Sequence, residues 1–426
     1  MTKTEIINAA FRVWGRNFYR KTSLSRLAAE LKVSKPALYR HFSNKHALSA
    51  AMTERFFDDF AASIRSDLNA APAADDADYG ISSIIRSISG FFAGNVYALF
   101  FSLINIYDRN IDGKAIAESL KSRGVDMGII HALLGRKYSD NTLLVRLIFA
   151  TLTFLMSSFH STKKSMENPP SDEDILNITS LICRTIECGI GSGDISIDFD
   201  KLEKLVEAMP LGAEPELKTE QNEGRLGQFF KAVAEAVAEA GPWDVSMEMV
   251  ARKLGLSKSS LYVHFKNRKD MLSRLFITEF GRIIAFAKQG MSLSSQAAEK
   301  LYLGIYTISV YLRARPEILV AIDWIRTRRL DLGKPFKRRE NFLLFEDIDI
   351  NLPDGEKQHT SSWILFLLVN VLIQSAPHNA DFDKRMTWLC DGLCVPADNN
   401  ISDNAHNDYI RLLFKFIMRG LGGFKK

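Results

Sequence analysis

Apolar residues recur at three- and four-residue intervals along most of this chain, which is the spacing of helices that bury one face. Ile6, Ile7, Ala10, Phe11 and Trp14 predict a first helix over Thr4–Trp14. Leu24, Leu27, Ala28 and Leu31 predict a short second helix with Ser23 at its N-cap, and Ser34 caps a third after about three residues. A long helix is expected over Asn44–Leu68, then a loop by composition from Asn69 to Asp76. Helical spacing resumes over Tyr79–Tyr107 with unusual aromatic weight, and residues 113–140 read as a broken helix interrupted at Gly124, Gly128 and Gly135. Two long apolar helices, Asn141–His160 and Asp172–Gly189, flank a Pro169-Pro170 loop. Their near all-round hydrophobicity calls for partners on most sides. A charged amphipathic helix over Phe199–Met209 precedes Pro210–Gly224, a polar stretch that reads as an exposed connection.

The plan then starts again. Leu226–Ala240 mirrors the first helix, and Met247, Val250, Ala251 and Leu254 mirror the second, with Ser246 and Ser257 as caps. Asn267–Gln289, Ser295–Leu312, Glu317–Leu330, Ser361–Ser375 and Asn404–Gly420 complete a second helical set. At a fixed offset of 223, ten of the twenty-seven positions from Thr22 to Leu48 are identical: Ser23, Ala28, Leu31, Ser34, Lys35, Leu38, Tyr39, His41, Phe42 and Asn44. Further on, Arg419-Gly420-Leu421-Gly422 echoes Cys188-Gly189-Ile190-Gly191. The chain is therefore two copies of one unit, and its class is all-α.

Two short helices across a tight turn make a helix-turn-helix, whose second helix enters the major groove of DNA. In that helix Ala37 or Ser260, Leu38 or Leu261, and Phe42 or Phe265 pack inward. Lys35, Pro36, Tyr39 and Arg40, and Lys258, Ser259, Tyr262 and Val263 in copy two, project outward. Tyr and His donate to phosphate oxygens, and Lys also reaches guanine edges. Lys45 and Arg268, the latter followed by Lys269, open a longer helix whose amide end favours phosphate.

The pattern Val/Leu-Ser-Lys-x-x-Leu-Tyr-x-His-Phe-x-Asn-Lys/Arg resembles the DNA-binding domain of the TetR family of bacterial regulators, twice in register. The resemblance implies, for each copy, a three-helix head and a helical body that binds ligand and dimerises. It implies DNA contacts from Lys35, Ala37, Tyr39, His41 and Lys45, and from Lys258, Ser260, Tyr262, His264 and Arg268. Copy one departs from the family at Lys32, where copy two keeps the turn glycine as Gly255, and at Phe18, where copy two has Gly241. The expected organisation is head 1 over 1–48, body 1 over 49–197, a linker over 198–224, head 2 over 225–272 and body 2 over 273–426. The two bodies are expected to pair within the chain as a pseudo-dimer, with a further homodimer as an option. Most body aromatics read as core. In the family the equivalent helices line a ligand cavity, for which Phe91, Asn95, Phe100, Asn105, Tyr302, Tyr306 and Trp324 are the candidates.

Charge sharpens this picture. Residues 1–48 carry +8 and residues 225–272 carry +3, against +5 for the whole chain, so the remainder is acidic at −6. Cations concentrated on both heads are the footprint of phosphate binding. Arg326, Arg328, Arg329, Lys334, Lys337, Arg338 and Arg339 form a cluster found only in copy two. A solvated face is its default reading, with an anionic ligand or extra DNA contact as alternatives. The four cysteines, Cys183, Cys188, Cys390 and Cys394, lack zinc spacing and read as buried apolar residues, so no metal and no cofactor are expected. The apolar run Leu143–Phe159 contains Arg146 and reads as a bundle helix rather than a membrane span. The expectation is a cytoplasmic, non-enzymatic regulator binding a double-stranded DNA operator and a small hydrophobic or aromatic effector. The competing reading is a DNA-bound protein whose bodies recruit a protein partner.

Overall fold

A computed structural model describes residues 2–16, 23–71, 77–103, 113–138, 141–191, 198–209, 218–328, 344–345, 357–373 and 403–425. No strand element occurs among them. The chain divides into two compact units, one built mainly on Met1–Glu187 and the other mainly on Cys188–His378 and Ala397–Gly423.

Unit one runs α1 (Lys3–Arg16), α2 (Leu24–Glu30), α3 (Lys35–Tyr39), α4 (Lys45–Ala70), α5 (Ala77–Gly94), α6 (Val96–Phe101), α7 (Gly113–Lys121), α8 (Gly128–Lys137), α9 (Asn141–Lys163) and α10 (Asp172–Cys188). Local chemistry sets the starts. Thr2 and Glu5 exchange hydrogen bonds of 2.7 and 3.2 Å as a capping box for α1, and Ser171 with Asp174 does the same for α10. Of the stretch with helical spacing over Tyr79–Tyr107, the described part forms α5 and α6, with Asn95 at the N-cap position of α6. Gly135 does not interrupt its segment but lies inside α8. Helix α1 packs on α2, α4 and α6, and α5 packs on α4, α8 and α9. The core below the head is aromatic: Phe56 lies 5.9 Å from Phe60 in a stack and 6.3 Å from Phe91 edge-on, and Phe11 meets Phe101 at 4.9 Å. Among the described residues, one helix stretch, Leu143–Lys163, is long and apolar enough to cross a membrane, and 67% of its apolar window is buried inside the protein.

Unit two runs α11 (Phe199–Glu207), α12 (Lys218–Asp244), α13 (Met247–Lys253), α14 (Lys258–His264), α15 (Arg268–Met291), α16 (Ala297–Ala314), α17 (Pro316–Arg328), α18 (Lys357–Leu372) and α19 (Asp403–Arg419), closed by a 3-10 turn at Gly420–Phe424. The order of packing repeats: α12 packs on α13, α15 and α17, and α15 packs on α16. Helix α12 begins at Lys218, inside the stretch expected to be an exposed connection; its first residues mix the good helix formers Lys218, Glu220, Gln221 and Glu223 with Thr219, Asn222 and Gly224. Helix α11 docks on the body of this unit. Leu202 is buried, Phe199 meets Phe414 edge-on, and Lys201 and Glu203 pair with Glu299 and Arg411. The Gly189 and Gly420 echo is conformational as well, since both residues have positive φ. The amides of Ile190 and Gly191 donate to the carbonyls of Ile417 and Met418 at 2.9 Å, so close that a Cβ on Gly189 would lie 2.5 Å from the Ile417 oxygen.

Candidate nucleic-acid interface

Each head is built the same way. The Ser23 Oγ accepts from the Arg26 amide at 3.3 Å to start α2, and Ser246 accepts from Met249 at 3.2 Å to start α13. Across the turn, Val33 N–H donates to the Ala28 carbonyl and Leu256 N–H to the Ala251 carbonyl, both at 2.9 Å. These six-residue closures need a left-handed residue just before the donor. Lys32 takes that place with φ +55° and Gly255 with φ +64°, so the turn is conserved in shape while copy one carries the cost of a side chain there, about 1 kcal/mol. The next helices open on Asn44 and Asn267, whose side-chain oxygens accept from Ala47 and Asp270 at 2.8 and 3.0 Å.

Leu38 and Phe42, and Leu261 and Phe265, are buried beneath the recognition helices α3 and α14. The opposite side of each is open: Tyr39 is 51% and Tyr262 47% exposed, and Lys35, Pro36, Arg40, Lys258 and Ser259 are exposed as well. Ala37 and Ser260 are half-buried. Lys45 and Arg268 are half-buried at the N-terminal ends of α4 and α15, with Lys269 exposed beside them. Each head therefore presents, on one surface, an aromatic hydroxyl, lysines and a cation at a helix start. That combination holds phosphates and reads base edges.

The two heads differ in detail. Ser257 caps α14 through a 3.1 Å bond from the Ser260 amide, and its hydroxyl also meets those of Ser259 and Ser260 at 2.8 Å. The expected Ser34 side-chain cap does not form. Pro36 has no amide to donate, and the Ala37 amide turns to the Ser34 carbonyl at 3.0 Å. Helix α3 ends at Tyr39, whereas α14 runs through His264. The His264 ring is half-buried and lies 4.4 Å from the Phe229 ring, which fixes α14 against α12. Asp270, where copy one has Ala47, accepts from the Lys266 amide at 3.0 Å and from Arg274 at 3.2 Å. It places an acid among the cations of head 2.

The expected ligand-pocket residues that are described take core and capping places. Phe91 belongs to the aromatic core, and Phe100 is buried 6.3 Å from His160. Asn95 is exposed and uses its side-chain amide to cap the Phe91 carbonyl at 2.8 Å, a helix-end role that polar residues among aromatics often fill. Tyr302 stacks on Tyr306 and meets Phe414 edge-on at 5.2 Å; burial pushes its hydroxyl up to about 12. Asn105 and the Trp324 side chain lie outside the described residues. In unit one a void of about 10 Å³, room for about one water molecule, lies between α5, α8 and α9, lined by side chains that include Ile81, Ile84, Ile88, Ile130, Ile148 and Phe149. The cysteine reading holds for Cys183, which is buried with its thiol pushed up to about 11, and fails for Cys188, which is exposed at the end of α10. Cys390, Cys394, Phe18 and the basic run from Arg329 to Arg339 lie outside the described residues.

Such a surface, repeated, defines a helix-turn-helix DNA-binding protein. The family of bacterial regulatory proteins named tetR matches the chain twice, at residues 6–52 and 230–275, so both heads are TetR domains. A curated relative, the fatty acid metabolism regulator protein of Bacillus subtilis (strain 168), is 29% identical over 85 residues. Those residues are 20% of this chain and span 44% of that relative's length. Among solved structures, the fatty acid degradation regulator FadR of Bacillus halodurans is 16% identical over 47% of this chain and all of its own, with a TM-score of 0.29. FadR of Bacillus subtilis, in complex with stearoyl-CoA, is 18% identical over 45% of this chain and 98% of its own, with a TM-score of 0.32. A TetR family regulator of Marinobacter aquaeolei VT8 is 18% identical over 40% and 94%, with a TM-score of 0.31.

Proposed function

We propose that the protein is a sequence-specific transcriptional regulator in which one chain supplies both DNA-reading heads. The observation that carries this is the duplication of a complete recognition surface, with buried leucine and phenylalanine beneath each α3-type helix and exposed tyrosine and lysine above. Ordinary twofold regulators read two half-sites about one DNA turn apart. Joining both heads covalently raises the effective concentration of the second one, so operator binding requires no second chain. This reading needs the two bodies to pair inside the chain as a pseudo-dimer. The outward residues Pro36 and Arg40 correspond in sequence to Ser259 and Val263, so the two half-sites differ and the operator is asymmetric.

Regulation is by a small hydrophobic effector that favours one head separation while operator DNA favours another, each weakening the other's binding reciprocally. A relative named for fatty acid metabolism supports an aliphatic effector. The test is a titration of duplexes selected from a random pool. Saturation at one chain per duplex, with a free mass near the 48.0 kDa of one chain, is the expected result. A stable species of about twice that mass would overturn the single-chain claim but not DNA binding. Added saturated fatty acids or their thioesters are expected to release the duplex; a duplex affinity unmoved by every such compound would remove the effector.

A further inference from the structure

Helix geometry singles out two positions in each head. Successive residues turn by about 100°, so the residues two before and two after the buried leucine lie on the side of the helix farthest from the core. In α14 these are Ser259 and Val263, opposite Leu261; in head 1 they are Pro36 and Arg40, opposite Leu38. This outermost ridge is where a helix lying in the major groove comes closest to the base edges. It is also where the two heads share neither residue.

Val263 is the most exposed large apolar residue among those described, at 82%. Burial does not account for it, and valine is a mediocre helix former. Its surroundings are cationic and polar. Tyr262 stands beside it, Ser259 lies one turn earlier on the same ridge with its hydroxyl engaged by Ser257, and Lys258 and Lys266 are exposed nearby. A short branched apolar group offered to the groove between cations matches one base-edge feature, the C5-methyl of thymine. Arg40 at the same place in head 1 carries five donors and suits the two acceptors on a guanine edge.

Building on the DNA-reading proposal above, we infer that Val263 is a specificity-determining residue that selects a thymine through its methyl group, and that its replacement by Arg40 in head 1 selects guanine at the matching position. The two half-sites differ there because a methyl contact has been exchanged for a bidentate hydrogen-bonding one.

The test uses the full chain and the duplex it enriches from a random pool. Each thymine is replaced in turn by deoxyuridine, which removes only the methyl. One replacement in one half-site is expected to weaken wild-type binding about fourfold, the equilibrium factor for burying a methyl-sized group. Val263→Ala should bind the unmodified duplex more weakly by a similar factor and be indifferent to that replacement. Val263→Arg should shift selection toward guanine at the same position, making the two half-sites alike. Because Val263 touches no core, these variants fold. If every deoxyuridine duplex binds like its parent, or if V263A keeps the full methyl sensitivity, the assignment is wrong while DNA reading stands. If no duplex is enriched at all, both fall.

Discussion

Phe56 and Glu279 occupy the same place in the two copies, 223 residues apart, and could hardly be less alike. Phe56 sits at the centre of an aromatic cluster with Phe60, Phe91, Phe92 and Phe101. Glu279 is only 1% exposed, and it is held by the Tyr311 hydroxyl at 2.7 Å, by Arg282 at 2.6 Å and by Arg315 at 3.3 Å. Arg315 in turn reaches Glu317 at 3.3 Å. The exchange is coordinated. Tyr311 stands near the end of α16 as Phe91 does near the end of α5, and Arg315 and Asn95 occupy equivalent kinks with nearly the same backbone angles, φ/ψ −133/69° and −127/67°. One scaffold thus tolerates either a dry aromatic centre or a neutral set of four charges, provided the partners change together. A single member changed alone leaves a buried charge unmatched or a ring without its neighbours.

Breaking that pairing should give the largest effects. Glu279→Ala removes the carboxylate that Arg282 and Arg315 face, and is expected to destabilise unit two by about 3–5 kcal/mol. Phe56→Ala should cost unit one about 3–5 kcal/mol through the cavity it leaves. Hydrogen exchange resolved along the chain checks both, because each loss should be confined to its own unit. A fourfold change, Glu279→Phe with Arg282→Asp, Tyr311→Phe and Arg315→Asn, puts the residues of unit one at four matching places in unit two. It should recover most of the loss seen for Glu279→Ala, and a fourfold variant no more stable than Glu279→Ala would contradict the coordinated exchange.

A smaller contrast lies in the head turns. Lys32→Gly should stabilise head 1 by about 1 kcal/mol, and Gly255→Lys should destabilise head 2 by a similar amount. A Cβ at Gly255 meets nothing within 4 Å, so the cost there is one of backbone conformation and not of crowding. Urea midpoints of single and paired variants read it, and the paired swap should come out near zero.

The smallest effect is chemical. Burial holds the Cys183 thiol protonated up to about 11, whereas Cys188 is exposed. Iodoacetamide at about pH 8 should label Cys188 within minutes and leave Cys183 untouched until urea unfolds the body, as read by peptide mass spectrometry. Raising the pH toward the Cys183 value increases its thiolate fraction, so any labelling of the folded protein at that site should grow in that direction only.

The heads were legible in the sequence because their chemistry is local. Caps such as Ser246, the left-handed turn at Gly255 and the buried Leu261 are all set by residues within one or two turns. The bodies were much less so. Asn95 read as a cavity residue because its role, capping the carbonyl of Phe91, depends on a helix break that hydrophobic spacing does not announce. Glu279 stands at helical spacing from Leu275, Phe276 and Ile283, which puts an acid on the buried face of α15, but its partners Tyr311 and Arg315 arrive from 32 and 36 residues away.

The central claim is that one chain reads DNA with two unlike heads, and selection from a random DNA pool tests it most directly. Wild type, Tyr39→Ala and Tyr262→Ala would be run side by side. The account expects wild type to enrich two different half-sites about one helical turn apart, with each variant losing preference at one half-site and keeping the other. Enrichment of a true palindrome, or a Tyr262→Ala variant that selects as wild type does, would contradict it.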